Sequence, residues 1–227
     1  MGPDRDGTGR PPVDVVLRPI SSPLPLGFLA LFTGSLVLSA VQLRWIPGAQ
    51  SHLVAIGVLA IVVPLQLVGC VFGFLSRDPA CGTGMGVLAG TWAATGVSML
   101  ATQPGHAEAG LGIVLVAAAG ALLVPTAVGA ISKVLVAVVM GGAAARFAIS
   151  GGYELTGTPA WEHSSGIAGI AVAAVAGYAA VAFEVEGALG RTALPVGRWS
   201  RGRRAVSGRL ADQTADLAHE AGVRRQL

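Results

Sequence analysis

Six apolar stretches of about 20 residues each constrain the fold of this chain, because that is the length a helix needs to cross a bilayer. They run approximately over 24–43, 53–75, 84–101, 109–128, 131–150 and 165–183. Charged residues make up only 12% of the 227-residue chain, about half the share found in soluble domains. A soluble fold of this size cannot bury six such stretches. We therefore predict an all-α integral membrane protein with six transmembrane helices.

Turn-forming residues separate the stretches and set the predicted helix ends. Clusters of Pro, Gly and polar residues occupy 44–48, 76–79, 103–106 and 151–164. Pro125, followed by Thr126, is predicted to close the fourth span. Only 129–133 separate the fourth and fifth spans, yet one kinked helix of about 40 residues would far exceed the bilayer thickness. A tight hairpin around Lys133 is therefore predicted.

The charged residues divide the chain and orient it. Residues 1–22 form a polar tail, so no cleavable signal peptide is expected; 23–190 form the membrane domain and 191–227 a basic tail. All 15 Lys and Arg residues except Arg44 and Arg146 fall on the side of the termini. This excess predicts that both termini are cytoplasmic. Nearly all the cations are arginines, which suits a GC-rich genome and is a hint of a bacterial source. The expected location is a plasma (inner) membrane.

The sequence contains no constellation typical of an enzyme. It has no His-Glu-x-x-His, Gly-x-Ser-x-Gly or phosphate-binding Gly-x-x-x-x-Gly-Lys motif. Cys70 and Cys81 lack metal-ligand or redox spacing and are interpreted as packing residues. We expect no enzymatic activity, no cofactor and no metal. Arg146 lies close to the predicted outer end of the fifth span, so we expect it to snorkel to the interface, a pore-lining role being the alternative.

Polar or helix-breaking residues within the spans are the remaining candidates for chemistry. The stretch from Pro23 to Gly27 opens the first span, Pro64 precedes Gln66 in the second, and Thr91 and Trp92 lie in the third. Interrupted helices expose backbone N–H groups, which can bind an anion when they line a cavity. Kinks accommodated by packing are the simpler interpretation of each single proline.

Two motifs at the ends of the membrane region resemble those of a known family. Pro23-Leu24-Pro25-Leu26-Gly27-Phe28 is similar to the Asn-Pro-Ala-Pro-Leu-Gly-Leu signature that opens the first helix of acetate uptake (succinate–acetate) transporters. Gly190-Arg191-Thr192-Ala193-Leu194-Pro195-Val196-Gly197 resembles their Gly-Arg-Thr-Val-Leu-Pro-(Ile/Leu)-Gly ending, with Tyr178 twelve residues before it. Gln66, Trp92 and Lys133 also match family positions. The resemblance covers about 21–198.

The resemblance implies a channel-like protomer that assembles as a ring, typically a hexamer, and carries acetate, related monocarboxylates and sometimes succinate, often with a proton. It also implies that the opening motif lines the path. Ser22 replaces the signature asparagine, and Leu31 and Leu88 stand where the family has a constricting phenylalanine and tyrosine. The predicted substrate path comprises Ser22, Pro23, Pro25, Leu26, Gly27, Leu31, Gln66, Leu88, Thr91 and Trp92.

Because Ser22, Leu31 and Leu88 depart from the family pattern, two alternatives remain open. The protein could be a membrane scaffold or sensor that kept the fold and lost transport. It could also be a channel for another small solute, such as ammonia, which an apolar constriction would suit. The basic tail is expected to contact anionic headgroups, whereas Asp212, Asp216 and Glu220 dilute its charge and argue against a nucleic-acid partner.

Overall fold

Six long helices make up almost the whole of the described chain. The computed structural model describes residues 20–198. The helices are α1 (Leu24–Gln42), α2 (Gly48–Leu75), α3 (Pro79–Ala101), α4 (Ala109–Ser132), α5 (Val134–Thr156) and α6 (Pro159–Leu189). Each is long and apolar enough to cross a membrane. The prediction of an all-α, six-span membrane protein is confirmed. Because the six helices alternate in direction, residues 20 and 198 lie at the same end of the bundle.

Several helix ends differ from the predicted ones. Helix α3 begins five residues early, because the side chain of Asp78 caps it by accepting a hydrogen bond from the N–H of Cys81 at 3.1 Å, with Pro79 in the first turn. The predicted break at 151–164 is wrong except for two residues. Helix α5 continues to Thr156 and ends at Gly157, whose φ of +65° suits only glycine well.

Helix α5 tolerates glycine at position 151 because the backbone of α4 lies directly against it. A Cβ on Gly151 would stand 3.0 Å from the carbonyl oxygen of Gly112, so close packing decides the conformation over intrinsic propensity. Pro125 does not close the fourth span, which is a correction: it lies inside α4, which continues to Ser132. The predicted hairpin is confirmed, since Lys133 is the single residue between α4 and α5.

Helix α2 is irregular near its middle. A π-helical segment, Val58–Val62, interrupts the α-helix just before Pro64. A proline ring clashes with the carbonyl four residues earlier in a regular α-helix, and the wider π turn removes that clash. Such π segments are frequent at functional positions in helices.

The helices form a closed ring. Each packs along its neighbours in chain order, and α6 returns to pack against α1. Large apolar side chains remain exposed on the outside of the ring, among them Leu53, Ile113 and Val181, as expected for surfaces that meet lipid. The centre of the ring is therefore where side chains from helices that are not neighbours meet.

The chain after α6 folds back over the end of the bundle at which α1 begins. The N–H of Val134 donates to the carbonyl of Gly197 at 3.0 Å, and the hydroxyl of Tyr178 donates to the carbonyl of Pro195 at 3.0 Å. Val196 of this segment is buried in the hydrophobic core of the bundle. Two parts of the sequence resemblance, Tyr178 and the 190–197 motif, thus contact each other. The predicted headgroup contacts of the tail from residue 199 onwards lie outside the described residues.

Candidate functional site

Arg146 lies at the centre of the ring, close to the midpoint of α5. Its side chain is 1% exposed, and its Nη1 donates a hydrogen bond of 2.9 Å to Oγ of Ser35 on α1. Helices α1 and α5 are not neighbours in the ring. The guanidinium therefore reaches across the centre of the bundle.

Trp92 of α3 forms one wall beside this guanidinium. The Cζ of Arg146 lies 5.3 Å from the centroid of the indole ring, within the range of a cation–π contact. The same indole meets Phe147 edge-on, with ring centroids 5.8 Å apart. It also packs over Gly34, where a Cβ would stand 3.1 Å from Cζ2 of the indole. Trp92 is completely buried and its Nε1 has no hydrogen-bond acceptor among residues 20–198.

Gly169 of α6 also lies against this guanidinium. A Cβ at this position would stand 2.8 Å from Nε of Arg146 and would overlap Oγ of Ser39. The missing side chain is therefore what allows Arg146 and Ser39 to meet at this level of the bundle. Within the described part of the chain, Nε and Nη2 of Arg146 and Oγ of Ser39 have no hydrogen-bond partner.

A cavity of about 90 Å³ enters the bundle from the end at which α1 ends and α6 begins, which is room for several water molecules. Its mouth carries polar side chains, among them His106, Glu154 and Glu162. Its inner end includes Phe147 and Ser150, and Ser150 lies one helical turn from Arg146 on the same face of α5. Phe147 in turn contacts the indole of Trp92, which lies against the guanidinium, while neither Trp92 nor Arg146 lines the cavity.

Apolar side chains close the other half of the ring's centre. Leu31, Leu88 and Trp92 belong to one continuous buried cluster that also contains Met85. A Cβ on Gly27 would overlap the sulfur of Met85, so Gly27 is buried against that side chain. The predicted path residues Gly27, Leu31, Leu88 and Trp92 thus lie in a closed, apolar part of the bundle. This part extends from Trp92 towards the end at which α1 begins.

Gln66 is the polar residue among the predicted path residues whose side chain is completely buried. Neither its Oε1 nor its Nε2 has a hydrogen-bond partner among the described residues. A buried amide normally finds partners, so this one offers both a donor and an acceptor in the protein interior.

The remaining predicted residues are divided between the interior and the surface. Pro23 and Pro25 are buried, Leu26 is half-buried and Ser22 is exposed before α1. The Oγ1 of Thr91 donates to the carbonyl of Val87 at 2.7 Å, so its proton is used within α3. Ser22 thus lies away from the centre of the ring, and the hydroxyl proton of Thr91 is already donated within α3.

The expectation that Arg146 snorkels to the interface is wrong. The fifth span was predicted to end near 150, which placed Arg146 close to a membrane surface, but α5 continues to Thr156. Its side chain turns into the ring and not along the lipid surface. One sequence signal could have located Arg146: it is an ionisable residue well inside a span, and intramembrane charges usually mark functional sites. Ser35, Ser39 and Gly169 carried no sequence signal.

The fold and this centre define a class: an integral membrane protein whose six helices surround a buried polar site, with a cavity that enters one end of the bundle. The fold is similar to the solved structure of the bacterial acetate channel SatP, with a TM-score of 0.61 and 19% sequence identity, over 78% of this chain and 99% of that chain. No protein-family model matches the chain, and no curated protein does either. At this identity the likeness is one of fold.

Proposed function

We propose that this protein is a divergent member of the acetate uptake transporter family that carries acetate and related small monocarboxylates, succinate among the candidates, across a bacterial plasma membrane. The observation that carries the proposal is the cavity that leads into the centre of the ring towards Arg146, in a fold shared with an acetate channel. A cation and polar groups at a bundle's centre are typical of a route for a polar solute. Both termini are proposed to be cytoplasmic.

Proton linkage is part of the proposal, and the mouth of the cavity supplies titratable groups for it. Glu154 accepts a hydrogen bond of 2.7 Å from the backbone N–H of Glu108, and Glu162 lies 3.7 Å from Arg44. Their negative charge is thus partly engaged, which lessens the repulsion that an entering anion meets. His106 lines the same mouth.

The test is uptake of labelled acetate into proteoliposomes, with and without an inward proton gradient. Empty liposomes are measured alongside, because protonated acetic acid crosses lipid unaided. Uptake above that leak, competed by propionate, is expected; a rise with the gradient would establish coupling. Uptake equal to the leak in both conditions would refute the proposed function.

Gly27→Leu tests whether the opening motif lies on the path. The larger side chain would overlap Met85, so we expect transport to be lost while membrane insertion is retained. Gly90→Leu is the matched control, because nothing lies within 4 Å of a Cβ at Gly90. Equal uptake by the two variants would remove the motif from the path.

The second candidate is a channel for a small neutral solute such as ammonia. The observation that favours it is the apolar closure by Leu31, Leu88 and Met85, all buried, since an apolar constriction disfavours a bare ion. Light-scattering measurements of ammonia entry into the same proteoliposomes separate the two: faster entry of ammonia without uptake of acetate would favour this candidate.

A further inference from the structure

We infer that the guanidinium of Arg146, together with the hydroxyls of Ser35 and Ser39, forms the binding site for the carboxylate group of a small anion at the centre of the bundle. The inference rests on the proposed function and assigns its substrate-binding residues. None of these three residues belongs to the motifs that carry the family resemblance.

The first support is the set of unused hydrogen-bond donors. Arg146 has one bond, from Nη1 to Ser35, while its Nε and Nη2 meet no acceptor in residues 20–198. Buried polar groups are nearly always hydrogen-bonded. Two unsatisfied donors on one fully buried side chain indicate a site built for an acceptor from outside the chain.

The position of these donors matches a carboxylate. Nε and Nη2 form one edge of the planar guanidinium, and that edge presents two parallel N–H groups at the spacing of two carboxylate oxygens. The bond to Ser35 uses the other nitrogen, Nη1, so it holds the guanidinium in place and leaves the bidentate edge available. Ser39, whose Oγ also has no described partner, lies beside Gly169 at the same edge.

The charge of Arg146 has no counterion in the described chain. The acidic residues that form ion pairs there do so with other cations: Asp78 with Lys133, Glu162 with Arg44 and Glu186 with Arg198. Glu154 is two helical turns away on α5, roughly 12 Å along the axis. A buried cation without a partner is unfavourable, and an anion entering through the cavity would neutralise it.

Binding is measured by the fluorescence of Trp92, whose indole lies against the guanidinium. The full chain is purified with Trp45, Trp161 and Trp199 replaced by Phe, and is titrated with sodium acetate at constant ionic strength. Acetamide, which is neutral and nearly the same shape, is titrated in parallel. We expect a saturable change with acetate and none with acetamide. Equal curves for the two compounds would overturn the inference.

Two variants test the residues. Arg146→Met is expected to weaken acetate binding by at least about tenfold, because the charge and both donors are lost. Arg146→Lys is expected to retain part of the affinity, because it keeps the positive charge but replaces the bidentate edge with a point charge. Arg191→Met is the matched control, because this exposed arginine lies after α6, away from the cavity, and binding should stay within about twofold. Unchanged affinity in Arg146→Met would refute the site.

Gly169→Ala should displace the Nε–Nη2 edge of Arg146 while the positive charge of that residue is kept. Its Cβ would press on Nε of Arg146 and overlap Oγ of Ser39, so binding should weaken about tenfold as bidentate geometry is lost. Gly120→Ala is the control, because a Cβ there meets nothing within 4 Å. Equal affinities in the two variants would show that Gly169 and Ser39 are not part of the site.

The binding and transport measurements fail independently. Acetate binding that depends on Arg146 in a protein that does not transport acetate would keep this inference and refute the proposed function. Transport of acetate that is unaffected by Arg146→Met, with no Arg146-dependent fluorescence change, would keep the function and refute the inference.

Discussion

Replacement of Trp92 should open the route from the cavity to Arg146. The indole is completely buried and stands between Phe147 and the guanidinium. Trp92→Ala removes an edge-on aromatic contact worth about 1 kcal/mol and a cation–π contact worth up to about 2 kcal/mol. With the void that remains, the expected loss is about 3–5 kcal/mol in the free energy of unfolding. That void would join the cavity, so that water reaches the guanidinium.

The assay is the rate at which methyl methanethiosulfonate modifies a cysteine placed at Ser39, in a chain whose Cys70 and Cys81 are replaced by Ala. Ser39 is completely buried, so modification should be slow with Trp92 present and at least about tenfold faster in the Trp92→Ala background. A cysteine at Ser98, which lines the cavity, is the accessible control and should react at similar rates in both.

Trp92→Phe provides the milder comparison. It keeps a ring against Phe147 and is expected to cost about 1–2 kcal/mol while leaving modification at Ser39 slow. Thermal unfolding in detergent checks that each variant is folded before it is assayed. If Ser39 reacts equally fast with Trp92 and in Trp92→Ala, the indole is not the barrier between the cavity and the centre of the ring.

Three further predictions concern the packing of the helices and the orientation of the chain. Gly73→Ala should lower the unfolding free energy by about 1–3 kcal/mol, because its Cβ would stand 2.6 Å from the backbone nitrogen of Gly82; Gly90→Ala should be neutral or stabilising, and similar melting temperatures for both would contradict this. Asp78→Ala should lower the free energy of unfolding more than Asp78→Asn does. Both variants lose the 2.5 Å ion pair to Lys133, but Asn keeps an acceptor for the N–H of Cys81. Equal losses, measured by thermal unfolding, would assign the whole effect to the ion pair. A reporter that is active only in the cytoplasm should be active when it is fused to the C-terminus. Activity there of a reporter that works only on the outer side would instead contradict the predicted orientation.

Features that depend on local sequence were predictable. The six spans follow from the length of the apolar runs, and the hairpin at Lys133 follows from the thickness of a bilayer, so both are confirmed. The resemblance of the 23–28 and 190–197 segments to acetate transporters agrees with the likeness to a solved acetate channel at the level of the fold alone. Orientation and assembly remain predictions, because they depend on a membrane and on partners.

The site itself was decided by tertiary structure. Sequence placed Arg146 near a membrane surface because Gly151 and Gly152 looked like a helix end, whereas contact of Gly151 with the backbone of α4 keeps α5 helical to Thr156. The centre of the ring then collects Ser35 from α1, Trp92 from α3 and Arg146 from α5. Residues so far apart in sequence meet only when the ring closes, and no periodicity within one helix encodes that meeting.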